Sequence, residues 1–228
     1  MNIQGFQKLT LLDFPGKTAC TVFTGGCNLR CPFCHNGTLV LNPTETASVE
    51  DEVIEYLKKR AGIIDGVCIT GGEPLLQPDL LTFAKKCKDL NLSVKLDTNG
   101  GNPEKLQKAL ESGFIDYVAM DIKASPDNYK KAVGIDTDFS TFKSSMEILR
   151  RSGIDYEFRT TAVKGIHTIG EFEEIAKLLK KDEKYFIQKF TDSGNLLDNS
   201  GLSAFSLDET EKIFETVKKY IPNVALRG

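Results

Sequence analysis

Several absences narrow the reading of this 228-residue chain before any motif is considered. No stretch approaches the ~18–20 consecutive apolar residues that span a bilayer. The opening Met1-Asn2-Ile3-Gln4-Gly5 lacks the basic-then-apolar pattern of a secretory signal, so a cytoplasmic protein is expected. Charge of one sign is also missing: 29 Lys and Arg against 32 Asp and Glu are interspersed and leave a net −3. With no basic stripe to track a phosphate backbone, neither nucleic acid nor a membrane is an expected partner. No repeat of fixed period and no low-complexity linker interrupts the chain, so one domain over residues 1–228 is expected. At this length a single core buries roughly 70–75% of the unfolded surface, and the six cysteines are not needed as disulfide staples. Reduced thiols follow, and among them there is no second C-x₂-C pair of the kind that completes an ordinary structural zinc site.

Present instead are strand-like apolar runs alternating with amphipathic helices. Strands are expected at 18–24, 66–70, 92–98, 115–121, 155–163 and 184–190. Helix starts are marked by Ser48 with Asp51, by Asn102 with Pro103, by Ser206 with Glu209, and by Pro78. Phe139, Phe142, Met146 and Leu149 form the apolar stripe of a helix that ends at Gly153; Phe172, Ile175 and Leu179 form another. Six such units are too few for the usual eight-stranded closure. The expected fold is α/β: an open, partial (β/α)6 TIM-like barrel of parallel strands with outer helices and a lateral mouth.

Cys27-Asn28-Leu29-Arg30-Cys31-Pro32-Phe33-Cys34 is the densest chemical signal, a C-x₃-C-x₂-C set with His35 directly after it. Three soft thiolates without a fourth suit a cubane iron–sulfur cluster whose remaining iron can bind an exogenous molecule. A Cys₃His zinc knuckle completed by His35, in a binding or adaptor module, is the alternative. A second segment, Thr70-Gly71-Gly72-Glu73-Pro74, ends the second expected strand; Asp97-Thr98-Asn99-Gly100 and Asp121-Ile122-Lys123 end the third and fourth. Parallel α/β folds place ligands at these carboxyl ends, so all four segments fall on one rim.

Taken together, C-x₃-C-x₂-C and Gly71-Gly72-Glu73-Pro74 resemble the radical S-adenosylmethionine (SAM) enzymes. Asp13-Phe14-Pro15-Gly16, Cys34-His35-Asn36, Asp97-Thr98-Asn99-Gly100 and Asp121-Ile122-Lys123 resemble more narrowly the activating enzymes of glycyl-radical proteins. Through Gly5-Phe6-Gln7-Lys8, 117–123 and 156–161 the chain is most similar to the activase of the anaerobic ribonucleoside-triphosphate reductase. Pyruvate formate-lyase activase shares the short motifs.

The resemblance implies a [4Fe–4S] cluster on Cys27, Cys31 and Cys34, and reductive cleavage of SAM to methionine and a 5′-deoxyadenosyl radical. That radical would take a hydrogen from a backbone glycine of the partner enzyme, with a low-potential donor such as flavodoxin or ferredoxin supplying the electron. A radical SAM enzyme acting on a small molecule, of the 7-carboxy-7-deazaguanine synthase kind, is the other enzymatic reading.

Phe33 is expected to cover the cluster and approach the adenine, with His35 beside the cofactor. Gly71 and Gly72 would bring backbone to the methionyl amine, and Glu73 would add negative charge there. Lys123 and Arg159 are the candidate cations for the methionyl carboxylate, Arg159 also being open to a structural ion pair. The likeness to pyruvate formate-lyase activase further implies a monovalent cation near Asp97, Thr98, Ala119 and Asp121, since two carboxylates on one rim repel unless a positive charge lies between them. Where that relative has a histidine after the last barrel strand, Gln188 is the expected substitute.

Overall fold

The computed structural model describes residues 1–41, 43–44, 49–192, 194–198 and 200–228. Among these, eight strands form one sheet in sequence order: β1 (Ile3–Thr10), β2 (Ala19–Thr24), β3 (Gly66–Gly71), β4 (Ser93–Thr98), β5 (Tyr117–Asp121), β6 (Asp155–Ala162), β7 (Tyr185–Lys189) and β8 (Val224–Arg227). β1 runs antiparallel to β2, and every later neighbour is parallel. The six expected strands are β2 to β7. β1 and β8 add one edge each and do not pair with one another, so the barrel stays open.

Helices carry the chain from each parallel strand to the next. α1 (Gly37–Leu41) and α2 (Val49–Lys59) follow β2, and α3 (Leu80–Asp89) follows β3. α4 (Pro103–Glu111) follows β4, α5 (Tyr129–Val133) and α6 (Phe139–Ser152) follow β5, α7 (Ile169–Lys177) follows β6 and α8 (Leu207–Lys218) follows β7. A sheet whose order never reverses, joined by crossovers of one hand, keeps its helices on one side. Local chemistry fixes their ends. Asn102 Oδ1 accepts Lys105 N at 3.0 Å with Pro103 in the first turn, and Ser206 and Glu209 form a reciprocal capping box. Asp138 caps α6, which stops at Gly153 with φ 71°. The start expected at Pro78 comes at Leu80, where Asp79 makes no side-chain cap. The cap expected at Ser48 lies outside the described residues.

Period-two alternation gives the sheet two chemically different faces. Val94, Leu96, Val118, Met120, Phe158 and Ile187 join Phe83, Leu106, Phe142, Met146, Phe172 and Ile213 of the helices in one buried core. The intervening strand residues, Lys95 and Asp97 on β4, Asp121 on β5, Glu157 and Arg159 on β6, are polar and face the barrel interior, where they pair. Among the described residues no helix is long and apolar enough to cross a membrane.

Candidate active site

The cysteine loop begins where β2 ends, and the glycine loop of β3 holds it there. Gly72 N donates to Thr24 O at 2.8 Å, Glu73 N to Gly26 O at 2.8 Å, and Gln77 Nε2 to Gly25 O at 2.8 Å. From the far side of the cysteines, Asn36 Nδ2 donates to Gly71 O at 2.9 Å. This close approach explains the glycine pair. A Cβ on Gly72 would stand 1.9 Å from Gly26 O, and one on Gly71, whose φ is +111°, would stand 2.4 Å from Thr24 N. The glycines are demanded by a backbone already in the fold, before any ligand is considered.

Cys27, Cys31 and Cys34 line one cavity of about 260 Å³ together with Phe33, His35, Gly71, Gly72, Asp97, Asp121, Lys123, Arg159 and Gln188. Of the residues singled out in the sequence, Glu73 and Ala119 do not line it. Glu73 is buried beneath, accepting from Leu75 N at 3.1 Å, Thr98 Oγ1 at 2.8 Å and Asn99 N at 2.7 Å. Burial pushes its carboxyl up to about 7 against those three donors. Its visible work is to tie the β3 loop to the end of β4.

Burial raises the Cys27 thiol and pushes Cys31 up to about 12, while the Lys123 ammonium pulls both down. Metal binding needs the thiolates, so this cation favours the form that a metal takes. Among the described residues no three His, Cys, Asp or Glu side chains converge tightly enough for one metal ion. Three cysteines that line one cavity are a donor set suited to a multi-iron cluster, in which each thiolate would take a different iron. Sulfur also receives hydrogen bonds from the protein: Asn99 Nδ2 lies 3.6 Å and Leu29 N 3.4 Å from Cys27 Sγ.

The opposite wall is an ion chain built across three strands. Arg159 of β6 donates through NH1 to Asp97 Oδ2 at 3.0 Å and through Nε to Asp121 Oδ1 at 2.9 Å. It reaches Asp97 across β5 where the register places the small Ala119 beside Asp97. Lys123 Nζ closes one end on Asp121 Oδ2 at 2.9 Å, and Lys95 closes the other on Asp97 Oδ1. These cations outweigh the cost of burial and hold the carboxyls of Asp97 and Asp121 down, Asp121 at about 2. The Arg159 guanidinium thus supplies a positive charge between the two carboxylates, so their mutual repulsion does not by itself call for a monovalent cation.

Three contributors carried no role in the sequence reading. Asn99, besides its contact with Cys27, donates to Asn28 Oδ1 at 2.8 Å. Asn36 bridges the two loops as described. His167, after β6, is buried: its Nδ1 accepts from Val163 N at 3.1 Å, so Nε2 carries the proton and donates to Lys123 O at 2.8 Å. Its ring lies 6.3 Å from that of Phe33. Asn36 and Asn99 stand inside quoted motifs and were findable there, whereas His167 has no local pattern to mark it.

A family model described as the radical SAM superfamily matches residues 21–179, more than half of the chain. The chain belongs to that superfamily: it is an enzyme whose cofactors are a [4Fe–4S] cluster and SAM. Its relatives narrow the class to the glycyl-radical enzyme activating enzymes. A Methanocaldococcus jannaschii protein named "putative glycyl-radical enzyme activating enzyme" is 32% identical over 99% of this chain and 95% of its own length. The pyruvate formate-lyase-activating enzyme of Clostridium pasteurianum is 33% identical over 58% of this chain and 57% of its own. Among solved structures, Streptococcus suis SuiB bound to SAM superposes with a TM-score of 0.70 at 16% identity, over 90% of this chain and 49% of that one. Escherichia coli coproporphyrinogen III oxidase, titled a radical SAM enzyme, gives 0.59 at 12% identity, over 92% and 53%. The chain spans about half the length of both, and the likeness is one of fold.

Proposed function

We propose that this chain is an activase that uses SAM at a cluster held by Cys27, Cys31 and Cys34 to abstract a hydrogen from a backbone glycine of a glycyl-radical enzyme, namely the anaerobic ribonucleoside-triphosphate reductase. The observation that carries the reading is the meeting of three thiols with the Lys123 ammonium and the Arg159 guanidinium in one cavity at the carboxyl ends of β2 to β6. When bound, the reduced cluster and SAM supply the radical chemistry. The chain's own groups orient and enclose. The ion chain Lys95–Asp97–Arg159–Asp121–Lys123 carries three cations and two anions, a surplus of one positive charge that the methionyl carboxylate neutralises. Phe33, buried between Cys31 and Cys34, shields the sulfurs from water. Gln188 and His35 also line the cavity and would meet the adenosyl part. A target glycine enters without a side chain to obstruct it, which suits a cavity this small. A flavodoxin or ferredoxin supplies the electron.

The reductase is favoured over other targets by the segments 5–8 on β1, 117–123 on and just after β5, and 156–161 on β6. Activation of pyruvate formate-lyase is the second reading, supported by similarity to its activating enzymes over more than half of the chain. The test is electron paramagnetic resonance on the anaerobically reconstituted protein with reductant, SAM and each candidate target. A glycyl-radical doublet that forms with the anaerobic reductase and not with pyruvate formate-lyase is expected. A doublet with pyruvate formate-lyase alone selects the second reading, and none with any target overturns both.

A further inference from the structure

Lys95 is the buried ammonium at the inner end of the ion chain. It points from β4 into the barrel with its side chain 2% exposed, contacts Asp97 Oδ1, and lies 3.7 Å from Cys68 Sγ. It does not line the cavity. Burying a lone ammonium is costly, and an apolar side chain of similar volume would fill the same space at no such cost. Its presence therefore has to be explained by its partner. Asp97 spends its other oxygen on Arg159, which also serves Asp121. Without Lys95 and Lys123 at the ends, two carboxylates would share one guanidinium. With them, each carboxylate contacts two cations, and Arg159 is held between equal partners.

We propose that Lys95 is a positioning residue: acting through Asp97, its ammonium fixes the Arg159 guanidinium on the cavity wall and thereby sets the affinity of the cavity for the carboxylate end of SAM. The inference rests on the reading of the cavity given above, and the test separates the two. Cluster-loaded, oxidised protein is titrated with SAM by calorimetry, so that binding is read without turnover, in choline chloride or ammonium chloride at an equal ionic strength of about 0.2 M.

Lys95→Met and Lys95→Ala are expected to bind about tenfold more weakly than wild type in choline. Ammonium is expected to restore Lys95→Ala, which leaves room for the ion, and not Lys95→Met, whose side chain fills that room. In an Asp97→Asn background, Lys95→Met is expected to change the affinity by less than about twofold, since the route of its influence is already cut. Melting temperatures with and without ammonium report whether each variant is folded; where Lys95→Ala is not, the cycle through Lys95→Met carries the test. Wild type that binds no SAM overturns the reading of the cavity and this inference with it. Wild-type binding that Lys95→Met leaves unchanged overturns the inference alone, as does a loss that persists undiminished in the Asp97→Asn background or that ammonium restores equally in both variants.

Discussion

Gly72→Ala isolates the claim that the cysteine loop is positioned by backbone packing. The added methyl would stand 1.9 Å from Gly26 O and 2.7 Å from Gly26 C, both main-chain atoms that no side-chain rotation can clear. Reaching even the 3.0 Å that real Cβ atoms respect requires the two loops to part by about 1 Å. Two hydrogen bonds cross that gap, Gly72 N to Thr24 O and Glu73 N to Gly26 O, each 2.8 Å long. Losing both costs about 2 kcal/mol, and residual overpacking adds about 1–3, so a destabilisation of about 3–5 kcal/mol is expected. Cys27 directly follows Gly26, so the same displacement carries its sulfur away from Cys31 and Cys34. Chemical denaturation of the metal-free protein reads the first effect, and iron content with visible absorption after anaerobic reconstitution reads the second. Gly170→Ala, in the first turn of α7 with nothing within 4 Å of its new methyl, is the control and is expected to be neutral or slightly stabilising. A Gly72→Ala protein as stable as that control, with a full complement of iron, would refute the packing argument.

Further perturbations test the ion chain and the sulfur contacts. Arg159→Met leaves Asp97 and Asp121 facing each other over the shared gap and is expected to cost about 3–5 kcal/mol in urea denaturation; no change would mean the carboxylates are not coupled through it. Asp121, held at about 2 in the fold against an ordinary 3.8, contributes about 2 kcal/mol above pH 4 that disappears as the pH falls toward 2. Asp121→Asn should therefore flatten the acid limb of a stability-against-pH curve, and an acid limb identical to wild type would count against the pairing. Asn99→Leu removes the N–H donor from Cys27 Sγ and is expected to make the cluster's reduction potential more negative in a potentiometric titration, because a hydrogen bond to sulfur favours the electron-rich reduced form. An unchanged or more positive potential would dismiss that contact.

What could be read in the sequence was whatever depends on local spacing. β2, β3, β5 and β7 announce themselves by short apolar runs, and β4 and β6 by an apolar residue at alternate positions such as Val94 and Leu96 or Tyr156 and Phe158, all standing between caps such as Asn102 and Ser206. β1 and β8 went unread for the converse reason. An edge strand turns part of itself to solvent: β1 has exposed residues in its middle, and β8 is four residues long with one neighbour. The same division holds at the site. Cys27, Cys31 and Cys34 are eight residues of chain and could be read at once. Glu73, adjacent to the glycine pair, was assigned toward a ligand on proximity, yet its carboxylate turns into the fold to meet Thr98 and Asn99, 25 and 26 residues on. Asp97, Asp121 and Arg159 lie 24 and 38 residues apart in sequence, and only strand register brings them, with Lys95 two residues before Asp97, into one chain of charges.

That chain of charges also bears on why the interior of this barrel is polar at all. Glu157 is fully buried on β6, two residues before Arg159, and is itself satisfied by Arg227 of β8 at 2.6 Å and by the Tyr117 hydroxyl at 2.9 Å. The polar interior thus continues inward from the cavity wall to the β8 edge, with every carboxylate named here met by a cation or a hydroxyl. For stability alone an apolar filling would serve as well or better. A paired interior instead gives Arg159 and Lys123 fixed positions at the wall, because moving either would take from Asp97 or Asp121 one of its two cations. On the function proposed above, an enzyme that must seat a zwitterionic cosubstrate against an oxidisable metal cluster gains from such rigidity: the charges that would meet the ligand are already in place before it arrives.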